Sequence, residues 1–515
     1  MSNPTKQDAI KLLDVFDPEM ATLLHREEKR QFETIGLIAS ENVVSPMASC
    51  LEGSAFTNKN TEGYAGKRFV GGCQLSDQAE LLAVERVKLA FGVDHANIQC
   101  GNATIANIAV LRAFLKPGDT FMGLTLDNGG HLSHGAKFHF SGAMFNAVHY
   151  GVSRETEMID MDEVHRLALE NKPKLICVGA SSYPRLIDYK RFREICDEVG
   201  AYFWVDCAHD CGLIAGGAIP SPVEYAHVIT FSTQKTLRGP RGCGVILVCK
   251  DIEIPDGKNK DGSPKYTKLS LKIDRSVFPR LQGGPKGDML AARGVLFYEL
   301  LQPEFKEYAK QVCKNAKALA KGCADEGMRL ITGGTDTHMV MIDVTPLGVN
   351  GLEAETLLNS LGLVTNKNMI PYDQLPPSCG SGLRIGSPTM TTRGAKEEEM
   401  EHIGHLLGKA LKNKDNQAVL DEIAAEVKQI ATSHPMFSSE WVSPSIRKDF
   451  EDMYYNVEYC AQKGTMRNGS VIKRRPRGRG HEPAAAGSVR HLEGGGRDPR
   501  LRHRPGGRKG QRHLL

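Results

Sequence analysis

Two ionisable side chains, Asp206 and Lys235, follow consecutive apolar segments of the sequence. Asp206 ends the segment "AYFWVD", and Lys235 comes after "HVITFS" and before the turn "TLRGPRG". A lone lysine at the end of a strand is most often a solvated surface residue. If the two segments are neighbouring parallel strands, both residues lie at one edge of the sheet, where ligands bind in α/β proteins. The pair is therefore a candidate site.

This pair of residues meets two requirements of pyridoxal phosphate chemistry. A lysine forms a Schiff base with the aldehyde of that cofactor, and a carboxylate keeps the pyridine nitrogen protonated, so that the ring acts as an electron sink. Hydroxyl and N–H groups near a helix N-terminus bind the phosphate, and an arginine binds a substrate carboxylate. The spacing of Asp206 and Lys235 does not establish this chemistry alone.

Other common site motifs are absent from the sequence. It contains no G-x-x-x-x-G-K-[ST] loop and no G-x-S-x-G elbow, and "GPRGCG" has the wrong glycine order for a dinucleotide site. Cys207, His209 and Cys211 would face one side of a strand, which could suggest zinc. Structural zinc sites use four ligands with wider spacing, however, so we predict no metal site.

Eight motifs occur in a fixed order along the chain: "LIASEN", "TNKNTEGYAGKR", "GGHLSHG", "VDCAHDCGLIAGG", "KTLRGPRG", "LQGGP", "TNKN" and "SGLRIGSP". In these motifs and in their order, the sequence resembles the serine hydroxymethyltransferase family over roughly residues 10–435. The resemblance implies a pyridoxal-phosphate enzyme that interconverts serine plus tetrahydrofolate and glycine plus 5,10-methylenetetrahydrofolate. It also implies an α/β, fold-type-I transferase, whose large domain with a mainly parallel, seven-stranded sheet precedes a smaller C-terminal α/β domain.

The resemblance assigns roles to single residues. Lys235 corresponds to the Schiff-base lysine, Asp206 to the partner of the pyridine nitrogen, and His131 to the imidazole that stacks on the ring. Glu62 corresponds to the carboxyl group that handles protons near the hydroxymethyl group and the folate. The other assignments are His209 and Ser181 near the phenolic oxygen, Ala103, Thr104 and Gln234 as further cofactor contacts, Gly283 and Gly284 at the phosphate of a neighbouring subunit, Ser40 and Arg384 at the substrate carboxylate, and Asn368 at the folate.

Some of these assignments depend on the motifs alone. Without its motif, His131 would more often be a hydrogen-bonded histidine on a loop. Arg241 could contact the site or support its own loop. Because Gly283 and Gly284 correspond to a loop that reaches a neighbouring subunit, we expect a homodimer or homotetramer with shared active sites.

Three positions and the phosphate loop depart from the family pattern. Asn60 and Val70 replace tyrosines, Gln234 replaces the histidine before the Schiff-base lysine, and the phosphate loop reads "GNATIAN". Val70 lacks a phenol that could donate a hydrogen bond, and Gln234 cannot titrate near neutrality. Ala103 replaces a glycine, which is harmless only if its φ angle is negative. Each lost polar group could cost about 3 kcal/mol of transition-state stabilisation.

These departures leave three hypotheses open. The first is a serine hydroxymethyltransferase, which the retained residues favour. The second is a folate-independent pyridoxal-phosphate aldolase that cleaves β-hydroxy amino acids. The third is a catalytically weakened family member that acts as a scaffold or regulatory subunit, for example through its basic tail.

Apolar patterns predict the elements that position these residues. A helical arm spans residues 1–45, and a large cofactor-binding domain spans 46–320, where amphipathic helices alternate with short apolar strands. Residues 251–275 are polar and rich in Gly, Pro and Lys, which predicts an exposed flap. One long helix is predicted after the flap, from "AARGVLFYELL" to "AKGCADEG", and the small domain then spans 321–437.

The C-terminal extension, residues 438–515, differs from the rest in composition. From Lys463 onward there are 15 Lys/Arg and 3 Asp/Glu, whereas the whole chain has a net charge of +4. The main body is thus mildly acidic, and we predict disorder from about residue 465. The tail could bind RNA, but an inert extension or a gene-model error is the simpler explanation.

The remaining sequence features concern location. No apolar run approaches the roughly 20 residues that span a bilayer, and the N-terminus lacks the features of secretory and transit peptides. The 13 cysteines include no C-x-x-C pair, which indicates reduced thiols. We therefore expect a cytoplasmic enzyme that binds serine, glycine and folate and no membrane.

Overall fold

The computed structural model describes residues 6–450, beginning with a helical arm. The arm contains α1 (Lys6–Phe16) and α2 (Pro18–Glu33), and strand β1 (Ile35–Gly36) follows. The Asp17 carboxylate caps α2 by accepting a hydrogen bond from the Met20 N–H at 3.1 Å. Residues 1–5 of the predicted arm lie outside the described residues.

A seven-stranded sheet forms the centre of the large part of the chain. Its strands alternate with helices, as the sequence predicts. The elements after the arm are, in chain order, α3 (Pro46–Ser49), β2 (Gly63–Tyr64), β3 (Lys67–Arg68), α4 (Gln74–Phe91), β4 (His95–Asn97), α5 (Ala103–Phe114), β5 (Thr120–Leu124), α6 (Phe140–Met144), β6 (Asn146–Tyr150), α7 (Met161–Asn171), β7 (Leu175–Val178), α8 (Tyr189–Val199), β8 (Tyr202–Asp206), α9 (Cys211–Ala215), β9 (Val228–Ser232) and β10 (Gly244–Val248).

The strand order of this sheet is β4–β10–β9–β8–β7–β5–β6. Five neighbouring strands, from β9 to β6, run parallel, and β10 is antiparallel to both of its neighbours. Every residue of β7, β9 and β10 is buried, as expected for a sheet covered by helices on both faces. The prediction of a mainly parallel, seven-stranded sheet is confirmed.

The predicted flap is shorter than the sequence indicated. Strands β11 (Glu253–Lys258) and β12 (Pro264–Lys268) form an antiparallel hairpin whose residues are mostly exposed. Residues 269–275 belong instead to helix α10 (Leu269–Val277), which buries Leu269 and Ile273 in a hydrophobic cluster. The prediction of a flap up to residue 275 is wrong there, because the apolar positions of α10 have a helical spacing.

The prediction of one long helix after the flap is also wrong. The segment forms two helices, α11 (Gly287–Glu299) and α12 (Pro303–Asp325). Pro303 occupies the first turn of α12, where its missing N–H needs no partner. Inside a continuous helix the same proline would remove a hydrogen bond and clash with the preceding turn, so the chain breaks at residues 300–302.

A second, four-stranded antiparallel sheet follows α12. Its strand order is β13–β14–β17–β16. Within residues 6–450, no helix is long and apolar enough to cross a membrane. The elements are β13 (Arg329–Leu330), β14 (Met339–Asp343), α13 (Gly351–Ser360), β15 (Leu363–Val364), β16 (Asn366–Asn368), β17 (Gly382–Gly386), α14 (Pro388–Thr392), α15 (Glu397–Lys412) and α16 (Gln417–Ser433), with 3-10 helices at Ala55–Asn58, Leu126–Asn128, Leu132–His134, Ile331–Gly333, Thr345–Leu347 and Ser439–Trp441.

Helix α12 belongs to both main hydrophobic clusters. Phe305 and Val312 pack in the cluster around the large sheet, whereas Leu319 and Cys323 pack in the cluster around the small sheet. The predicted boundary at residues 320–321 thus falls inside a shared helix, and the domain division stays a prediction. The basic tail and its predicted disorder lie outside the described residues.

A buried arginine joins the arm to the C-terminal helix. Arg393 donates hydrogen bonds to the carbonyl oxygens of Phe32 (3.0 Å) and Thr34 (2.8 Å) at the end of α2, and of Ala431 (2.5 Å) near the end of α16. The last carbonyl groups of a helix have no partner within the helix and carry partial negative charge. One guanidinium therefore caps two helix C-termini.

Candidate active site

A cavity of about 310 Å³ opens at the carboxyl edge of the large sheet. Strands β8 and β9 are parallel neighbours, with Asp206 opposite Thr230, so Asp206 and Lys235 meet there as predicted. Arg241, which the sequence left open, also lines the cavity. The predicted site residues that line it are Ser40, Ala103, Thr104, His131, Ser181, Asp206, His209, Gln234, Lys235 and Arg384.

Lys235 is held with its amine facing this cavity. The Asn42 side-chain amide donates a hydrogen bond to the Lys235 carbonyl oxygen at 2.9 Å, which fixes the backbone. No hydrogen bond or ion pair of the Lys235 amine is found within residues 6–450. Burial lowers the pKa of Lys235 to about 8, against the opposing charge of Asp206. About a tenth of the amine is therefore neutral, and hence nucleophilic, at pH 7, far more than for an exposed lysine.

Asp206 is fixed as an ionised carboxylate at the end of β8. Its Oδ2 atom accepts hydrogen bonds from Asn107 Nδ2 (2.7 Å) and His134 Nε2 (3.0 Å), and its Oδ1 atom accepts one from the Ala208 N–H (3.0 Å). Burial alone would raise the pKa of Asp206. The His134 hydrogen bond and the nearby positive charges outweigh that effect and hold the pKa below its usual range. The group can therefore face a cationic ring nitrogen.

The sequence analysis did not assign Asn107 and His134, although both lie within quoted motifs. Asn107 ends "GNATIAN", and His134 is the second histidine of "GGHLSHG". The Asn107 amide is fully used, because it also donates to Ser133 Oγ (2.9 Å) and accepts from Thr230 Oγ1 (2.7 Å). Only the packing of α5 against the sheet brings this amide to Asp206.

His131 presents a neutral ring to the cavity. Its Nδ1 atom accepts a hydrogen bond from the Ser133 N–H at 3.2 Å, which fixes the ring orientation. Burial, with a smaller electrostatic contribution from His134, lowers the pKa of His131 to about 4. An uncharged, planar ring at this position suits stacking on a flat cofactor.

The N-terminus of helix α5 also opens into the cavity. Asn102 caps the helix by accepting a hydrogen bond from the Ile105 N–H at 2.9 Å, and Asn102, Ala103 and Thr104 line the cavity. The φ angle of Ala103 is not positive, so its methyl group causes no backbone strain. Free N–H groups and the helix dipole favour an anion such as phosphate here.

Gln234 also lines the cavity. Its Oε1 atom is buried and has no hydrogen-bond partner within the described part of the chain. Buried polar atoms normally find a partner, and because an amide oxygen only accepts, Oε1 is left for a hydrogen-bond donor of a ligand or a water molecule. A phosphate would be contacted by the Nε2 amino group, which donates but cannot titrate as a histidine would.

Arg384 and Ser40 form an anion-binding pair on another wall of the cavity. Arg384 lies on β17 and donates from Nη1 to the Ser181 carbonyl oxygen at 2.7 Å and from Nη2 to Ser40 Oγ at 3.4 Å. Burial lowers the pKa of Arg384, but a guanidinium stays charged and has five donors. The unused donors suit a carboxylate group.

Four predicted site residues do not line this cavity. Glu62 and Gly283 line a separate surface depression of about 510 Å³ beside Phe278 and Phe69. Gly284 lies so close to Glu62 and Asn60 that a Cβ atom added to it would come within 3.0 Å of Asn60 Oδ1. Asn368 lies on β16, where its side-chain amide donates to the Met369 carbonyl oxygen at 2.7 Å.

The loop after Lys235 is supported by Arg238, which is buried and has a positive φ angle of 49°. The Arg238 N–H donates to the Lys235 carbonyl oxygen at 3.0 Å. Its guanidinium carbon lies 4.5 Å from the ring centre of Tyr308, 5.0 Å from that of Phe437 and 5.5 Å from that of Phe305. These cation–π contacts hold a backbone angle that is otherwise unfavourable.

The cysteine cluster does not have the geometry of a zinc site. Cys207 follows β8 and Cys211 begins α9, so the two residues and His209 do not share one face of a strand. Burial raises the pKa of Cys211 to about 12, whereas zinc binds the thiolate. The 12 cysteines of the described residues are free thiols.

Two other sets of side chains among the described residues could coordinate a metal by position: Asp325, Glu401 and His405, which lie outside the cavity, and His131, His134 and Asp206 within it. Ligand atoms of His131, His134 and Asp206 lie within 4.8 Å of one another. His134 and Asp206 are already hydrogen-bonded to each other, and His131 Nδ1 accepts from a backbone N–H. The positions are therefore explained without a metal ion.

The fold and the cavity define the class of protein. A lysine and a carboxylate at the edge of a seven-stranded sheet, with an anion site at a helix N-terminus, fit a fold-type-I pyridoxal-phosphate enzyme. The family model of serine hydroxymethyltransferase matches residues 13–407. The chain belongs to the serine hydroxymethyltransferase family.

Two curated relatives have the same name as the family. A serine hydroxymethyltransferase of Coprothermobacter proteolyticus is 49% identical over 421 residues, which cover 82% of this chain and 97% of the relative. A serine hydroxymethyltransferase of Koribacter versatilis is 46% identical over 437 residues, which cover 85% and 97%. The family uses pyridoxal phosphate as cofactor and tetrahydrofolate as co-substrate, so the predicted fold class, cofactors and enzyme class are confirmed.

Proposed function

We propose that this protein is a serine hydroxymethyltransferase, which interconverts serine plus tetrahydrofolate and glycine plus 5,10-methylenetetrahydrofolate. One observation carries the proposal: a partly neutral lysine, an ionised carboxylate and an anion-binding arginine line the same cavity. The altered positions Asn60, Val70 and Gln234 leave this set of residues intact.

The residues of the cavity would hold pyridoxal phosphate as follows. Lys235 would bond to its aldehyde carbon, Asp206 would keep the pyridine nitrogen protonated, and His131 would stack on the ring. The N-terminus of α5 and the Gln234 amide would bind the phosphate. When bound, the cofactor supplies an electron sink for the electrons released when a bond at the substrate Cα breaks.

Arg384 and Ser40 would hold the substrate carboxylate and so orient the bonds at Cα. A bidentate contact of this kind restricts rotation of the amino acid and lowers the entropic cost of reaching the reactive geometry. Glu62 would hold or move a proton at the hydroxymethyl oxygen, and Asn368 would contact the folate.

A homo-oligomer with shared sites is part of this proposal. Glu62, Gly283 and Gly284 lie together but away from the cavity of their own chain, so they are available to a second copy. Phe69 lines the same depression and is 72% exposed. Helix α4 also exposes the apolar residues Leu75, Leu81 and Leu89, and exposed apolar surface of this kind is typical of protein interfaces.

The proposal is tested with purified protein supplied with pyridoxal phosphate. Serine should be converted to glycine only when tetrahydrofolate is added, and borohydride reduction should label Lys235. Lys235→Ala should lose the label and at least about 1,000-fold of the activity. The matched control is Lys250→Ala, an exposed lysine outside the cavity.

Each contrary result supports one of the other hypotheses. Cleavage of threonine-like substrates without folate, and no reaction with serine and folate, would indicate an aldolase. A labelled Lys235 without turnover of either substrate would indicate a weakened family member. An unlabelled Lys235 would remove the proposal altogether.

A further inference from the structure

The side chains of His209, His338 and Asp210 form a line that begins at the cavity. His209 is its first member. Its Nδ1 atom lies 3.1 Å from Nε2 of His338, and Nδ1 of His338 lies 3.7 Å from Oδ1 of Asp210. The two ring centres are 5.3 Å apart, with 21° between the ring planes. Since the centres lie much further apart than the nitrogen atoms, the rings meet edge to edge, as a hydrogen bond requires.

The two ends of this line reach different surroundings. His209 lines the cofactor cavity, and because its Nδ1 atom faces His338, Nε2 is the nitrogen left for the cavity. The Asp210 side chain is 19% exposed and lines a small cleft with Arg185, Tyr189 and Thr337. The line therefore connects the cavity to a cleft on its other side.

His338 and Asp210 face each other with unused polar atoms. Nδ1 of His338 and Oδ1 of Asp210 are both buried and have no hydrogen-bond partner among residues 6–450. Leaving a buried polar atom unpaired costs about 1–3 kcal/mol. A small side-chain rotation would close the 3.7 Å separation into a hydrogen bond that satisfies both atoms.

Both imidazoles of the line are neutral at pH 7. Burial lowers the pKa of His338 to about 3; the charges of Lys235 and Arg384 add to the effect, and an interaction with the Ala39 backbone opposes it. Burial and the charge of Lys235 likewise hold the pKa of His209 well below its usual range. Each ring therefore carries one N–H, and the hydrogen bond at one nitrogen decides the role of the other.

The protonation state of Asp210 then decides what His209 presents to the cavity. If Asp210 is ionised, it accepts from His338 Nδ1–H, His338 Nε2 accepts from His209 Nδ1–H, and His209 Nε2 is an acceptor. If Asp210 is protonated, every hydrogen bond reverses, and His209 Nε2–H becomes a donor. The donor form would stabilise a negatively charged oxygen in the cavity.

We propose that Asp210 is a positioning residue that sets the tautomer of His209 through His338, and that this line carries one proton between the cavity and the outer cleft. In the transfer, His209 Nε2 gains a proton from the cavity, His209 Nδ1–H passes its proton to His338 Nε2, and His338 Nδ1–H passes its proton to Asp210. No other bond changes. The proposal rests on the proposed function, because His209 would contact the phenolic oxygen of the cofactor.

The groups around Asp210 place its protonation, and therefore the change of the His209 tautomer, near neutral pH. Burial raises the pKa of Asp210 to about 7, and Asp206 adds to the rise while Lys235 opposes it. The donor form of His209 should therefore dominate below pH 7, and the acceptor form above it. The other titratable or charged groups that face Asp210 are Arg185, Tyr189, Cys207, Cys211, Cys313 and His338.

The test reads the tautomers directly by nitrogen-15 NMR of histidine-labelled protein, with and without pyridoxal phosphate. Signals are assigned with His209→Asn and His338→Asn variants. Between about pH 6 and about pH 8, the proton of both rings should move from Nε2 to Nδ1. In Asp210→Asn, which cannot titrate, the tautomers should not change over this range. Rings that keep one tautomer in the unsubstituted protein would overturn the proposal.

A spectroscopic measurement on the loaded protein provides the second readout. The visible absorbance of the bound cofactor should change with a midpoint near pH 7, and Asp210→Asn should lose this step. Asp336→Asn is the matched control, because Asp336 lies 3.4 Å from Arg185 beside the same cleft, and it should keep the step. Loss of the step in both variants, or in neither, would contradict the proposal.

These readouts separate the two proposals. The NMR result on cofactor-free protein does not depend on any reaction, so it can fail while folate-dependent turnover of serine succeeds. Conversely, if the protein never binds the cofactor, the proposed function is rejected. The tautomers of His209 and His338 would still show whether Asp210 sets them.

Discussion

At the scale of single residues, burial changes the chemistry of Lys235. The cavity lowers the pKa of this amine to about 8, whereas an exposed lysine has a pKa of about 10.4. Only the neutral amine attacks an aldehyde. The position of the lysine, rather than its residue type, therefore makes it reactive near neutral pH.

The first prediction concerns cofactor attachment to cofactor-free protein. Because the neutral form of Lys235 increases as the pH rises through its pKa of about 8, the rate of attachment should rise with pH, with a midpoint near that value, and then level off. Stopped-flow absorbance measures this rate, and free Nα-acetyl-lysine is the control. A midpoint as high as that of the free amino acid would contradict the prediction.

The second prediction concerns Asn107, which the sequence did not reveal as a partner of Asp206. Asn107→Ala removes three hydrogen bonds from buried groups, those to Asp206, Ser133 and Thr230. We expect the free energy of unfolding to fall by about 2 kcal/mol. Urea unfolding measures the change, and Asn146→Ala, which removes one exposed hydrogen bond to Thr120, should have little effect.

Residue types predicted much of the site, but the partners of each residue could not be predicted. Asp206 and Lys235 were predictable because parallel strands end at one sheet edge. His134 was not, because its contact with Asp206 spans 72 residues of sequence. Glu62 belongs to the matched motifs, yet a single chain does not show which cavity it serves.

At the scale of elements, continuous apolar runs predicted strands well. The segments "AYFWVD" and "HVITFS" correspond closely to β8 and β9, since a sheet buried on both faces requires apolar residues at every position. The helix after the flap was predicted poorly, because its apolar spacing continues across Pro303. Helix α10 was predicted poorly for a different reason, because its apolar residues Leu269, Leu271 and Ile273 directly follow the polar, Gly/Pro/Lys-rich segment of the hairpin.

The third prediction concerns the junction of α2 and α16. Arg393→Met removes the donors that cap both helix ends, and the buried carbonyl groups lose their partners. We expect a loss of about 3 kcal/mol in the free energy of unfolding. The matched control is Arg30→Met, which removes a surface ion pair with Glu27 and should cost less than about 1 kcal/mol.

At the scale of the whole molecule, the residues assigned to the reaction fall into two groups. Most line the cavity at the carboxyl edge of the large sheet, whereas Glu62 and Gly283 line a depression of their own. If two copies associate as proposed, one copy completes the cavity of the other. The smallest active unit would then be a pair of chains.

The fourth prediction tests this sharing by mixing two inactive variants. Lys235→Ala and Glu62→Gln should each be inactive alone. After joint refolding, each mixed dimer holds one intact site, so activity should return to about a quarter of the unsubstituted level. Mixing Lys235→Ala with Asp206→Asn is the control, because both changes affect one cavity. Equal recovery in both mixtures would contradict shared sites.

The aromatic contacts of Arg238 have a consequence for how the protein is made. Phe437 completes the ring of side chains around this guanidinium, and it lies far downstream of the loop that it stabilises. A growing chain on the ribosome therefore exposes the loop long before its last support has been translated. We expect nascent chains to bind pyridoxal phosphate only after the ribosome has translated Phe437.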